Sequence, residues 1–316
     1  MKKILKKFTT GLLLVIFVLS MAGCGEIKNS QNNSSVNLNS TESSETVYPL
    51  NIKDSFGNMV TIEKEPEKII SAAPNITELI FDLGSQDKLI GRTDYCDYPE
   101  ETKNIESIGT IMSPDIEKII SLEPDILIAS THFNQENAQK LEEAGIKVVS
   151  LYEKDDVDGV YTMIETMGMI LNKNKESENC ISEMKKTIND VQNAVKDLEY
   201  PTVYYVVGYG EGGDFSAPEN SFIGGLINLA GGKDIVPSSD SWSFSLESLI
   251  EADPYIIVIG KGQKEDFMSK EGYNELTAVK EGRVYEIDNN LIDRQGYRNK
   301  DGVLELAKIF HPEAFK

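Results

Sequence analysis

The stretch Ile116-Glu-Lys-Ile-Ile-Ser-Leu-Glu-Pro-Asp-Ile-Leu-Ile-Ala-Ser130 reappears without a gap as Leu246-Glu-Ser-Leu-Ile-Glu-Ala-Asp-Pro-Tyr-Ile-Ile-Val-Ile-Gly260. In each copy apolar residues at helical spacing (Ile116, Ile119, Ile120; Leu246, Leu249, Ile250) lead to an acidic-Pro pair and then to an apolar β-branched run. The pattern predicts helix, tight turn and buried strand, used twice. Two similar α/β halves can place a ligand between corresponding loops, so the duplication bears on function as well as fold.

Working outward, strands and helices alternate on both sides of each copy. Asn51 to Ile62 alternates around Asp-Ser-Phe-Gly-Asn and predicts a β-hairpin. Strands are expected at 68–71, 88–91 and 146–151 in the first half, with helices over 75–83 and 135–144, each followed by glycine. The second half repeats the order, with strands at 202–207 and 282–287 and helices at 221–230 and 301–309. Between the halves lie helical tracts over 157–171 and 176–198. The second has apolar residues at Ile181, Met184, Ile188, Val191 and Val195 and is followed by Pro201. Strands separated by helices imply mainly parallel sheets. The expected architecture is two Rossmann-like α/β lobes, 48–172 and 201–316, joined by one long helix over 173–200.

Composition narrows function. The formal net charge is −21, from 52 acidic and 31 basic residues among 316. Such a surface repels phosphate backbones, so nucleic-acid binding is not expected. Met1-Lys-Lys-Ile-Leu-Lys-Lys-Phe is a basic n-region, Gly11 to Ser20 an apolar core, and Met21-Ala-Gly-Cys24 a small-residue end before a cysteine. Residues 1–23 therefore look like an export signal. Residues 24–47, rich in Asn, Ser, Gln and Thr, are expected to form a flexible tether. Cys96 and Cys180 are expected to be free thiols, since one pair does not make a disulfide framework.

Several motifs together carry a family resemblance: the signal ending at Cys24, Ser71-Ala-Ala-Pro-Asn-Ile-Thr-Glu78 leading into Leu83-Gly84, Asp97-Tyr-Pro99, Glu123-Pro124-Asp125 and Ala230-Gly-Gly232. In order and spacing the chain from Tyr48 onward resembles the substrate-binding lipoproteins of ABC importers for ferric siderophores, haem and cobalamin. The resemblance implies two lobes on a helical backbone and a shallow cleft between them. It implies a metal chelate as ligand, no permanent cofactor and a monomer. Lipid attachment at Cys24 would hold the protein on the outer face of the cell membrane, where it delivers ligand to a permease and its ATPase. An acidic residue at the position of Glu78 would dock on the permease, although Gly225 and Asn228 stand in the corresponding second-lobe places.

Ligands of parallel α/β sheets sit at the carboxyl ends of strands. Loops after strands supply Asn75, Tyr95, His132, Tyr209, Phe215 and Lys261 as candidate ligand-binding residues, the matching segments before the two repeated helices add Met112 and Trp242, and the resemblance implies a cleft arginine that Arg294 matches. Trp242 is the sole tryptophan, and its setting among serines favours a ligand platform over the alternative of capping a lobe surface. Tyr95, Tyr209 and Phe215 serve equally as an aromatic wall or as loop packing. Arg294, in Asp-Arg-Gln-Gly-Tyr-Arg, either meets carboxylates of a chelate or pairs with an acidic neighbour such as Asp293. His132 either ligates an iron centre or lines the cleft; His311 reads as structural. Asn75-Ile-Thr-Glu78 also fits a capping box, which explains Glu78 without any partner protein. The rival reading is an exported hydrolase using the same cleft, against which stand the missing Gly-x-Ser-x-Gly, His-Glu-x-x-His and phosphate-loop motifs. An adhesin or sensor lipoprotein that binds no small molecule is the third.

Overall fold

The computed structural model describes residues 45–316, residue 153 excepted. The expected signal, most of the tether and Cys24 lie outside the described residues. The described residues fall in one compact unit, Glu42–Lys316.

The hairpin is present as β1 (Leu50–Lys53) and β2 (Met59–Ile62), paired antiparallel. It is followed by β3 (Ile69–Ser71), α1 (Pro74–Asp82), β4 (Leu89–Arg92), α2 (Ile116–Ser121), β5 (Ile126–Ala129), α3 (Gln135–Glu143) and β6 (Lys147–Ser150). The four strands from β3 onward form an all-parallel sheet in the order β4-β3-β5-β6. Two helices then run on, α4 (Val157–Leu171) and α5 (Asn174–Val195), separated by Asn172 in the left-handed region. The second lobe comprises β7 (Thr202–Gly208), β8 (Phe215–Ser216), α6 (Phe222–Leu229), β9 (Lys233–Asp234), α7 (Leu246–Ala252), β10 (Ile256–Gly260), α8 (Lys264–Ser269), α9 (Thr277–Lys280), β11 (Val284–Ile287), α10 (Asn290–Asp293) and α11 (Asn299–Phe310). Here β11, β10, β7 and β9 are parallel, and β8 adds antiparallel to β7.

The duplication is visible down to capping and backbone torsions. Asp115 and Ser245 cap α2 and α7, their side chains accepting from the amides of Lys118 and Ser248. Each helix ends in a left-handed acidic residue before proline, Glu123 at φ 49° and Asp253 at φ 38°. The following strands, β5 and β10, are buried at every position and lie inside their sheets, which is why both read as unbroken apolar runs.

Helix α5 buries Cys180, Met184, Ile188, Val191 and Val195, an i, i+4, i+8, i+11, i+15 stripe. At about 1.5 Å per residue it spans roughly 33 Å. The stripe packs into a core cluster that runs continuously from Ile69 and Ile126 of the first sheet through α4 and α5 to Val203, Val258 and Phe310 of the second lobe. The lobes therefore share apolar packing as well as a connector. Cys96 and Cys180 are both free and buried. His311 is buried, with a ring nitrogen 2.9 Å from the carbonyl of Gly231.

Candidate functional site

A cavity of about 320 Å3 opens between the lobes at the carboxyl ends of the strands. Asn75 enters it from the start of α1, and Ser130, Thr131 and His132 from the turn after β5. Phe222 and Ile223, at the start of α6, face it from the other lobe, with Trp242 from the segment before α7 and Asp293 and Gln295 from the end of α10. Tyr152 and Asp155 complete the wall. Helix α1 follows β3 directly and α6 follows β7 after the short return strand β8, and each brings its N-terminal residues to the cavity.

Of the expected ligand residues, Asn75, His132 and Trp242 come together here. Trp242 remains 39% exposed, as a platform awaiting a partner would be. His132 is exposed and holds a left-handed backbone, φ 69°, which tilts its side chain from the regular path of the turn. The others lie elsewhere. Tyr209, just past the end of β7, donates its hydroxyl to Asp266 at 2.8 Å and packs edge-on against Phe267 at 5.2 Å between ring centres, so its ring is taken up by α8. Phe215 covers Gly208 and Gly213. Tyr95 and Met112 are exposed and outside the cavity lining, as is Lys261 at the tip of β10.

Arg294 and Glu78 meet each other. Helix α1 begins at Pro74 with Ala73 as its N-cap, and no side chain caps it. Proline fits the first helical position, where its missing N–H is no loss, so the helix starts ahead of Asn75 and the expected capping box does not form. Asn75 instead donates to Ser130 Oγ and to the carbonyl of Gln295, both at 3.1 Å. Glu78, 5% exposed, accepts from Arg298 Nε at 2.8 Å, Arg298 Nη2 at 2.7 Å and Arg294 Nη1 at 2.8 Å. Both carboxylate oxygens are occupied and turned from solvent, so this is not an acid presented to a partner protein. Arg294 also reaches Asp97 Oδ1 at 2.7 Å, the acidic pairing being with Glu78 and Asp97 instead of Asp293. Burial pulls the pKa values of both arginines down, but the hydrogen bonds and charges of these carboxylates outweigh it and raise them.

Electrostatically the cavity is one-sided. Among the described residues its lining holds two carboxyl groups, Asp155 and Asp293, and no lysine or arginine. Burial raises the pKa of Asp293, against hydrogen bonds from Asn289 and Tyr205 at 2.7 Å and the charge of Arg294. Asp155 accepts from Gln295 Nε2 at 2.8 Å and from the amide of Phe222 at 3.3 Å, tying the two lobes at the cavity wall.

One symmetric acid pair escaped the reading of the sequence although it sat inside the repeated stretch. Glu117 and Glu247 occupy the same position of α2 and α7, in first turns of matching burial, and both are exposed.

Residues 69–291 match the model of the periplasmic binding protein family. The chain belongs to that family. Among relatives of the periplasmic binding protein is an uncharacterised ABC transporter substrate-binding lipoprotein of Bacillus subtilis, YvrC, 31% identical over 96% of both chains. A cobalamin-binding protein of Halobacterium salinarum is 24% identical over 84% of this chain and 74% of its own length. In three dimensions a periplasmic haem-binding protein from Pseudomonas aeruginosa aligns with TM-score 0.71 and 24% identity, over 78% of this chain and 94% of that one. The two-lobed fold is therefore shared with solved members. No helix among the described residues is long and apolar enough to cross a membrane.

Proposed function

We propose that this periplasmic binding protein is the substrate-binding component of an ABC importer and that its cargo is a corrinoid, an amide-rich metal chelate typified by cobalamin. The observation that carries the choice of ligand is the charge of the cleft. Arg294 and Arg298 are committed to Glu78 and Asp97, and the lining offers carboxyl groups, neutral donors and acceptors (Asn75, Ser130, Thr131, Gln295) and the rings of Trp242, Tyr152 and Phe222. A chelate bearing free carboxylates, such as ferric citrate or haem, would meet Asp155 and Asp293 with no cation to offset them. Carboxamide arms and a flat ring suit neutral hydrogen bonds and an aromatic platform. The cobalamin-binding relative supports this choice of ligand, and the relative YvrC supports the importer role alone.

Delivery needs a second surface. Glu117 and Glu247, exposed at equivalent places on the two lobes, are suited to dock on a permease presenting one basic patch to each lobe. Export followed by lipid attachment at Cys24 places the monomer beside that permease, and the lipoprotein relative supports this.

A second reading keeps an iron centre, with His132 as its ligand. Its support is the exposed imidazole on a left-handed turn at the cavity. Titrating the purified chain separately with cyanocobalamin, hemin and ferric citrate, while following Trp242 fluorescence and visible absorbance, distinguishes the readings. Saturable quenching by cyanocobalamin alone is expected. A hemin Soret shift that disappears in His132→Ala would instead establish the second reading, and saturation by ferric citrate alone would overturn both.

A further inference from the structure

The ion-pair cluster around Glu78 adjoins the cavity residues Asn75, Asp293 and Gln295, and its components reach across 216 and 220 residues of sequence. It grips the irregular segment between α10 and α11. Arg298 makes a two-pronged contact with the Glu78 carboxylate and stacks over Tyr98, 4.0 Å from the ring centre. Arg294 bridges Glu78, Asp97 and the carbonyl of Tyr95. Asn299 closes the segment from within, donating to the carbonyls of Leu291 and Arg294 and accepting from the amide of Gly296. Two cavity residues, Asp293 and Gln295, lie on or beside this gripped segment. Gln295 in turn meets Asn75, on the same helix as Glu78 and one turn earlier, and Asp155.

We infer that Glu78 is a positioning residue for ligand capture: through Arg294 and Arg298 it fixes the 293–298 segment against the first lobe, and so holds the cleft at its binding width before ligand arrives. A buried ion pair adds little net stability once desolvation is counted. What a bidentate guanidinium–carboxylate contact does supply is a fixed relative orientation of the two groups. Here those groups belong to different lobes, and the donors that would touch ligand are carried on the same backbone. Holding them in place removes an ordering cost that binding would otherwise bear. The inference rests on the proposed function only in requiring that a ligand occupy this cleft.

The test uses Glu78→Gln, which keeps the shape and removes the charge, and Arg298→Lys, which keeps the charge and removes the fork. Hydrogen exchange of the Gly296 and Asn299 amides, read without ligand, is expected to quicken at least tenfold in Glu78→Gln and less in Arg298→Lys. Cyanocobalamin affinity, measured well below the melting temperature, is expected to fall about tenfold, roughly 1.4 kcal/mol. The loss should be non-additive with Gln295→Ala, which acts on the same segment, and additive with Trp242→Ala, which does not. Unchanged exchange in both variants overturns the positioning role whatever the ligand is. Altered exchange with unchanged affinity, or a lowered melting temperature alone, reduces the cluster to a structural tie and overturns its part in capture. Failure of the wild-type chain to bind cyanocobalamin counts against the proposed ligand, and the affinity arm is then read with whichever of hemin or ferric citrate saturates.

Discussion

At the scale of single residues, Trp242 and Asp234 show opposite uses of an incomplete environment. Trp242 leaves over a third of its surface open at the cavity, so a ligand ring can complete its burial. Trp242→Ala is expected to weaken cyanocobalamin binding at least tenfold, about 1.4 kcal/mol, in a fluorescence-independent assay such as calorimetry. Asp234 is incomplete in a costly way. Its Oδ1 accepts from Val236, but its Oδ2 is buried without a partner, and burial, with the nearby charge of Glu219, pushes its pKa up to about 7. A carboxyl raised above its unfolded value favours the folded state when protonated. That stability is present in full below the unfolded pKa and is lost as pH rises through about 7. Between pH 4 and 7.5 the wild-type chain should therefore lose on the order of 1–3 kcal/mol relative to Asp234→Asn, read as urea midpoints. Parallel curves for the two proteins would contradict this.

Among the elements, the repeated helix-turn-strand was legible because a period of this length survives where individual side chains do not. Its turn also shows how one task passes to different residues. Asp125 Oδ2 accepts from the amides of Glu67 and Lys68 at 2.9 and 3.0 Å and so fixes the start of β3 beside β5. In the second copy Tyr255 stands at this place, and the tie is the amide of Tyr255 donating to Thr202 Oγ1 at 2.9 Å. Burial pushes the Asp125 pKa up, but the two amides and nearby lysines outweigh it and set it below the usual range. Its stabilisation is present above the unfolded pKa and is lost as pH falls through the lowered one. Asp125→Ala should cost about 1–2 kcal/mol at pH 7 by chemical denaturation, and less at acid pH. Three short helices, α8, α9 and α10, were not legible in the sequence: α9 and α10 have four residues, little more than one turn, and α8, unlike the equally short α2, has no second copy to mark it. Nor was the start of α1 legible, because Pro74 takes the first helical position and so puts Asn75 inside the helix instead of at its N-cap.

For the whole molecule, what the sequence concealed was the pairing of distant charges. Glu78, Arg294 and Arg298 were each visible, but nothing local links residues more than two hundred positions apart. The contacts of Tyr209 with Asp266 and Phe267 were hidden for a related reason, since they join residues more than fifty positions apart. Glu117 and Glu247 were legible in principle, standing at the same place in both copies of the repeat. Replacing both by lysine should leave cyanocobalamin affinity within twofold and abolish uptake in cells that depend on the importer; preserved uptake would remove them from the docking surface. The central claim is that a corrinoid sits between the lobes, at the carboxyl ends of both sheets. Its most direct measurement is cobalt anomalous scattering from crystals grown with cyanocobalamin. A single cobalt peak bounded by Asn75, His132 and Trp242 is predicted; a peak outside the interlobe cavity, or none in crystals whose colour shows that ligand is present, would contradict it.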